Sequence, residues 1–401
     1  MRWFTCTPRN FEGGPTFFAR ESGLLSCGFR SIGVESMAVM PGPAHDDDTD
    51  QLIRASVEQL QSPAWWQALK LDGVVFYNWG ESEYQPISEA IMAAGIRLVS
   101  VSDTHGVSSP FADWRAYLIS SWHHYWHEPA WKRVTREFLR LPYACSLGIV
   151  RRDRPRAKMM ATCDYFLGAT PEAAERHRRL VATFEGEEAA KKVLFMPIAV
   201  NFHFRFEPGD VKHDEVIAVA RWDDPQKRAP LLMHVLELAA ARRPGTRFRI
   251  FGKIPPEMQQ WHDKLPAGLR SSIIMEGRVP NPVVAEASRR ARAMLVSAVF
   301  EGCHNASAEA ICSGCSVVGV DSPLLCALTW HASHRSGTMS PDARPESLSD
   351  ALCSELEAWD RGERDPVEMS RYWREQLHPD RVATAILGLY GLKPSAVPLP
   401  A

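Results

Sequence analysis

Phe300-Glu301-Gly302-Cys303-His304-Asn305-Ala306-Ser307-Ala308-Glu309-Ala310, closed by Cys312-Ser313-Gly314-Cys315-Ser316-Val317-Val318-Gly319, is the stretch on which the reading of this chain turns. Glu301 and Glu309 stand either side of seven residues that read as a loop entering a helix. A small-residue helix end and an apolar strand follow. Backbone N–H groups at such a loop and at a helix N-terminus gather around an anion. A carboxylate further along the helix can accept hydrogen bonds from a diol such as ribose. In outline this is a site for a nucleotide sugar.

Upstream, Val216 to Ala220 reads as a strand that runs directly into Arg221-Trp222-Asp223-Asp224-Pro225-Gln226-Lys227. Arg221 at the strand end and Lys227 across a Pro-containing turn can converge on one diphosphate. Fixed cations there stabilise the charge of a departing nucleoside diphosphate without a metal. The helix after Pro230 carries Leu231, Leu232, Val235, Leu238 and Ala239 at the spacing of a buried face. Arg247 to Phe251, Ile273 to Met275, Met294 to Val296 and Val317 to Val320 read as further strands. The first half has the same grammar, with strands at Trp3 to Thr7, Ser36 to Met40, Gly73 to Trp79 and Ile96 to Asp103. A Gly13-Gly14 turn follows the first of them, and a helix opens at Pro15. Short apolar strands separated by helices indicate parallel sheets covered on both faces.

A chain of 401 residues is too long for one ordinary core. The expected architecture is α/β, with two doubly wound Rossmann-like domains facing each other across a cleft and the ligand outside the carboxyl ends of their strands. The join falls near Val200 to Asp214, which gives an acceptor-side domain over 1–205 and a nucleotide-sugar domain over 206–379. Residues 380–401 are left as a terminal helix and tail.

Composition narrows the classes. Lys+Arg 46 against Asp+Glu 48 gives a formal net charge of −2, so nothing points to nucleic acid. Nine cysteines without framework spacing, several in apolar runs such as Cys163, Cys312 and Cys326, suit reduced thiols in the cytoplasm. No apolar signal core precedes Pro8, and no stretch reaches the ~18 apolar residues of a membrane span. The expected location is cytoplasmic, at most peripheral to the inner membrane face. Without a Walker A or G-x-G-x-x-G sequence, nucleotide hydrolysis and dinucleotide redox chemistry lose their main support.

As a set, these motifs resemble the retaining glycosyltransferases of the GT-B fold, family four (glycosyl transferases group 1). The resemblance is carried, in order, by Arg221 and Lys227, Phe251-Gly252-Lys253, Met275-Glu276-Gly277-Arg278-Val279, Glu301/Glu309 and Cys312-Ser313-Gly314-Cys315-Ser316-Val317-Val318. It spans about residues 215 to 325. It implies that Arg221 and Lys227 hold the diphosphate and that Glu309 binds the ribose hydroxyls. Glu301 and the backbone N–H groups of Cys303, His304 and Asn305 would hold the sugar, with Gly252, Arg278 and Val279 lining the donor. More loosely, Gly13 and Gly14 match a glycine loop near the donor phosphates, and His105 in Asp103-Thr104-His105-Gly106 matches a histidine facing the donor sugar. Cys303-His304-Asn305 replaces the usual aromatic-Gly pair, and Ile198-Ala199-Val200-Asn201 stands where the family has N-G-V-D. The terminal helix would cross back onto the first domain.

The activity so implied is transfer of a sugar from a UDP- or GDP-sugar to an acceptor hydroxyl (glycan, lipid-linked or small molecule), with retention, no metal and no cofactor beyond the donor. Three rivals remain: a GT-B sugar-nucleotide epimerase, a non-catalytic sugar-nucleotide-binding subunit and a membrane-surface interaction protein. The last rests on an insertion at about 107–158. There Trp114, Tyr117, Trp122, Tyr125, Trp126 and Trp131 are interleaved with a basic run. Aromatics packed on the domain core with solvated arginines is the expected arrangement, ahead of a membrane or acceptor surface. Cys312-x-x-Cys315 lacks a partner pair for zinc. His123-His124-x-x-His127 and His331-x-x-His334 are expected on the surface. Asp46 to Asp50 is expected to favour the N-terminus of a following helix.

Overall fold

The structure is a computed structural model in which residues 1–394 are described, apart from the side chains at 121 and 124. Residues 395–401 of the expected tail, and the His124 side chain of the first histidine cluster, lie outside that set. The chain divides into two compact units. The first holds Met1–Trp122, Pro129–Asn201 and the chain from Gln376 onward; the second holds His123–Glu128 and Phe202–Glu375.

The first unit is built on β1 (Trp3–Cys6), β2 (Ala38–Pro41), β3 (Leu52–Ala55), β4 (Gly73–Tyr77), β5 (Arg97–Ser102), β6 (Tyr165–Gly168) and β7 (Val193–Phe195). They pair in the order β3-β2-β1-β4-β5-β6-β7, and every pairing is parallel. β1, β2 and β4 are buried along their whole length, as strands covered on both faces must be. The second unit carries β8 (His213–Val219), β9 (Arg247–Phe251), β10 (Ile273–Gly277), β11 (Ala291–Leu295), β12 (Ser316–Val320) and β13 (Gly337–Ser340). Their order is β10-β9-β8-β11-β12-β13, again all parallel. The helix Ala229–Arg242 buries Leu231, Leu232, Val235 and Ala239, but Leu236 takes the inner place expected of Leu238, which is half-buried.

The C-terminal helix Pro379–Gly388 packs against the helix Glu21–Ser31 inside the first unit. Gly28 allows the approach, since a Cβ there would sit 2.3 Å from the Pro379 carbonyl oxygen. Tyr390 continues the contact, its ring tilted against Trp3 at 5.4 Å and its hydroxyl donating to Asp164 at 3.1 Å.

Three expectations fail here. Asp46 to Asp50 precedes strand β3, with no helix to cap. Asp48 instead accepts two hydrogen bonds from Arg54, at 2.9 and 2.7 Å, which hold its carboxyl down at about 2. His331 is buried rather than exposed, because it backs Ser307. In the insertion, Tyr117 does pack inward, but Trp114, Trp122 and Trp131 face solvent while Arg133 and Arg140 are partly buried. Arg133 and Arg140 make packing contacts, and three of the six aromatics are left outside.

Candidate functional site

In the second unit the sheet grows from β8 in both directions, toward β9 and β10 on one side and β11 to β13 on the other. The crevice between β8 and β11 is therefore its switch point, where ligands bind in such sheets. The loops leaving these two strands are sewn together. Val299 N–H donates to the Gln226 carbonyl at 2.9 Å, and Gln226 Nε2 donates to the Phe300 carbonyl at 2.6 Å. The Arg228 guanidinium donates to the Ser297 and Ala298 carbonyls at 2.8 and 2.9 Å, and Ser297 Oγ donates to the Lys227 carbonyl at 2.6 Å. The turn starts where Asp224 accepts from the Gln226 N–H at 3.0 Å.

This stitching brings Lys227 and Glu301 together as an ion pair with only 15% and 10% of their side chains exposed. Burial pushes the Glu301 carboxyl above its ordinary range, and the Lys227 charge offsets only part of that. His304 sits beside them in the left-handed region, at φ 43°, and caps the helix Asn305–Cys312. Its Nδ1 accepts from Ser307 N–H at 3.2 Å, so the ring must be neutral there. Burial, with Lys227 nearby, lowers it to about 3 and keeps it so. Ser307 Oγ lies 2.7 Å from His331 Nδ1, and burial lowers that imidazole to about 3 as well. Cys303 Sγ donates to Asn305 Oδ1 at 3.0 Å. Glu309 is buried on the next turn of the same helix. Gly252, at φ +112°, presses the end of β9 against β8; a Cβ there would lie 1.8 Å from the Ala220 carbonyl oxygen.

Arg221 is not drawn into this cluster. Its side chain is 73% exposed and pairs with Asp224 at 3.2 Å, while its neighbour Trp222 is the buried residue. Arg278 and Val279 follow β10, two strands from β8, with Arg278 exposed. Cys312 and Cys315 are buried free thiols whose burial raises them, Cys315 to about 12, so they belong to the core. Among the described residues no three His, Cys, Asp or Glu side chains come together as metal ligands.

The first unit has its own switch point between β1 and β4. A cavity of about 380 Å³ opens there, lined by Arg9, Trp79, Glu81, Ser82, Glu83 and Thr104. Arg9 lies over the Trp79 ring at 4.7 Å, and Trp79 is itself left-handed at φ 55°. His105 follows β5. Its Nδ1 accepts from Val107 N–H at 3.1 Å, and its carbonyl accepts from Arg176 at 2.8 Å. Gly13 and Gly14 are buried in the turn leading to the helix Pro15–Phe18. Sequence reasoning missed Glu21 and Asp103. Burial raises both, and the Asp103 charge helps bring Glu21 to about 7. Glu21 is left-handed at φ 46°. Glu21, Trp79, Arg228 and His304 are four of the seven non-glycine residues with positive φ among the described residues, and strain of this kind collects at functional sites.

Two parallel-sheet units, each with its loops gathered at its own switch point, make this a GT-B fold, and solved structures agree. Alr3699/HepE from Anabaena, solved in complex with UDP, superposes with a TM-score of 0.63 at 10% identity, over 98% of this chain and 100% of that one. A sucrose-phosphate synthase from Thermosynechococcus elongatus gives 0.57 at 13%, over 97% and 98%. A putative UDP-N-acetylglucosamine 2-epimerase from Listeria monocytogenes gives 0.54 at 12%, over 99% of both chains. No curated protein matches by sequence. Residues 213–358 match the family described as Glycosyl transferases group 1, the segment that carries the Lys227–Glu301 pair. That match lies wholly within the second unit, and the solved structures, each at 13% identity or less, show the shared fold. No described helix is long and apolar enough to cross a membrane.

Proposed function

We infer that the chain transfers a hexosyl group from a UDP-sugar, or a GDP-sugar, to an acceptor hydroxyl with retention at the anomeric carbon and without a metal ion. The observation that carries this reading is the buried Lys227–Glu301 pair at the β8/β11 switch point, beside the His304-capped helix. The Lys227 ammonium meets the diphosphate, and the exposed Arg221 swings from Asp224 to share that charge. Glu301 holds sugar hydroxyls and Glu309 the ribose. The bond from C1 to the diphosphate oxygen breaks as the acceptor oxygen bonds C1 on the same face, and the acceptor proton passes to the departing diphosphate. Two cations neutralise the leaving charge, so neither a metal nor a separate base is required. The first unit takes the acceptor. Trp79 offers a stacking face in its cavity, and Arg9, Glu81 and Glu83 offer partners for hydroxyls. UDP in the Anabaena structure favours a uridine donor.

A thermal-shift panel of UDP-, GDP- and ADP-sugars on wild type and Glu309→Ala tests the donor site, since a ligand that binds the folded state raises Tm. One base series should stabilise the wild type and lose its effect in the variant; no shift with any donor would defeat the reading. NMR of the product anomer then tests retention, and activity in chelator tests metal independence.

A second reading is favoured by Glu21 and Asp103, two raised carboxyls in the first unit. Sugar-nucleotide epimerisation needs such extra proton-transfer groups. Donor incubated without acceptor and followed by proton NMR separates the two, since an epimerase changes the sugar and a transferase does not.

A further inference from the structure

The helix Ala130–Ala144 wears its amphipathic pattern inside out. Trp131, Val134, Phe138, Leu139 and Tyr143 recur at helical spacing on one face, and that face is bare: Trp131 is 66% exposed, Phe138 78% and Leu139 67%. Past the end of the helix, Leu147 and Val150 are exposed as well. The opposite face holds the charge and does the packing. Arg133 lies 3.7 Å over the Trp122 ring and donates to the Trp122 carbonyl at 2.8 Å. Arg140 lies 3.8 Å over the Tyr117 ring and donates to its hydroxyl at 3.1 Å. A surface helix ordinarily buries its apolar stripe and hydrates its charges. Here the arginines anchor the helix and the stripe is left with a shallow groove of about 640 Å³ beside Trp131, Arg136, Leu139 and Tyr143.

Charge says what covers it. Between 128 and 158 there are nine Lys and Arg against three acids, in a chain whose formal net charge is −2. Glu137 is paired with Arg140 at 3.4 Å and the buried Asp153 with Arg152 at 2.7 Å, and Glu128 is half-buried. Lys132, Arg151, Arg154 and Lys158 are exposed. An aromatic and aliphatic stripe flanked by cations, with no exposed acid among residues 128–158, matches the boundary between anionic headgroups and acyl chains.

We propose that the helix Ala130–Ala144 docks this protein in the plane of an anionic bilayer, with Phe138 and Leu139 in the acyl boundary and the cations of 132–158 against lipid phosphates. The proposal does not depend on which donor is used. The test is flotation of the full chain with vesicles of phosphatidylcholine alone and of phosphatidylcholine mixed with phosphatidylglycerol. The wild type should float with the mixed vesicles and bind neutral ones about tenfold less or worse, with binding lost at high salt. F138S/L139S should lose about tenfold or more on the mixed vesicles while its Tm and its thermal shift with UDP are unchanged, because both side chains are exposed. K132E/K158E should lose the preference for anionic vesicles. A wild type that stays unbound, or an F138S/L139S variant that binds as well as wild type, overturns the proposal. So does a concentration-dependent dimer in sedimentation that F138S/L139S abolishes while no vesicle is bound, since the stripe would then belong to a second copy.

Discussion

Lys227→Met removes one partner of a pair that is almost wholly enclosed, and its cost can be worked from the site. Breaking a fully buried ion pair destabilises by about 3–5 kcal/mol. The side chains here keep 15% and 10% exposure, and Glu301 can escape its stranded charge by taking up a proton. Those two reliefs bring the loss to about 2 kcal/mol near pH 8. The sign of the pH dependence follows from burial. The Glu301 carboxyl is already raised in the folded wild type, and Lys227 is the main influence holding it down. Without Lys227 it rises further, so the folded state keeps a proton that the unfolded chain releases. Between the unfolded value of about 4.3 and the raised folded one, stability falls as pH rises, by at most ~1.4 kcal/mol per pH unit. For a unit of this size about 2–4 °C accompanies each kcal/mol, so Tm should drop ~4–8 °C near pH 8 and by less than half that near pH 5. Melts of wild type, K227M, E301Q and K227M/E301Q followed by circular dichroism read this directly. The double variant should recover much of the loss, since no buried charge is left over. A K227M protein that melts with wild type near pH 8, or that loses equally at both pH values, would refute the enclosed-pair argument.

Arg221→Ala should leave stability within about 0.5 kcal/mol, because the side chain is mostly in solvent, yet lower kcat about tenfold or more with little change in KM; unchanged turnover would remove it from the leaving-group site. Glu309→Ala should weaken donor binding about tenfold in calorimetry, the loss of ~1.4 kcal/mol of hydrogen bonding to the ribose. His304→Ala should cost about 1 kcal/mol as a lost helix cap, visible in Tm, while His304→Asn keeps the cap and most of the stability. Gly252→Ala should fold poorly or melt far lower, since its Cβ would overlap the Ala220 carbonyl at a backbone angle that L residues avoid; a Tm equal to wild type would contradict the close approach of β8 and β9.

What was legible follows from how each feature is encoded. Strands buried on both faces are largely apolar, so β1, β4 and β12 stand out as runs such as Gly73-Val74-Val75-Phe76-Tyr77, while β9 shows as the alternation Arg247-Phe248-Arg249-Ile250-Phe251. Edge-ward β3, with half-buried Leu52-Ile53-Arg54, has no such contrast with its flanks and was missed. Three-residue β7 and the half-exposed β13 were missed for the same reason. Lys227 and Glu301 were legible as parts of a motif because each is a charge at a fixed distance beyond a strand end. Arg228 and Gln226 were not, although they stitch the two loops, because both act on carbonyl oxygens that any residue could supply. Glu21 and Asp103 stand out through burial, and Glu21 also through the Asp103 charge, neither of which spacing reveals.

The helix Ala130–Ala144 marks a sharper boundary between sequence and structure. Helical periodicity establishes which side chains share a face; it does not establish which face the rest of the molecule covers. Expecting the aromatics inside assumed that apolar area is buried wherever a partner surface exists. That assumption fails where arginines can pack as well as leucines. A guanidinium stacked flat on an aromatic ring buries its own plane and still donates at its edge, as Arg133 does on Trp122 and Arg140 on Tyr117. Two such contacts seat the helix without using its apolar stripe. A helix seated by its charged face leaves apolar surface in water, a cost that some partner must offset to be tolerated. The cations left over around that stripe give the partner its sign, and an anionic bilayer meets both the apolar stripe and that charge where a neutral protein face meets only the stripe.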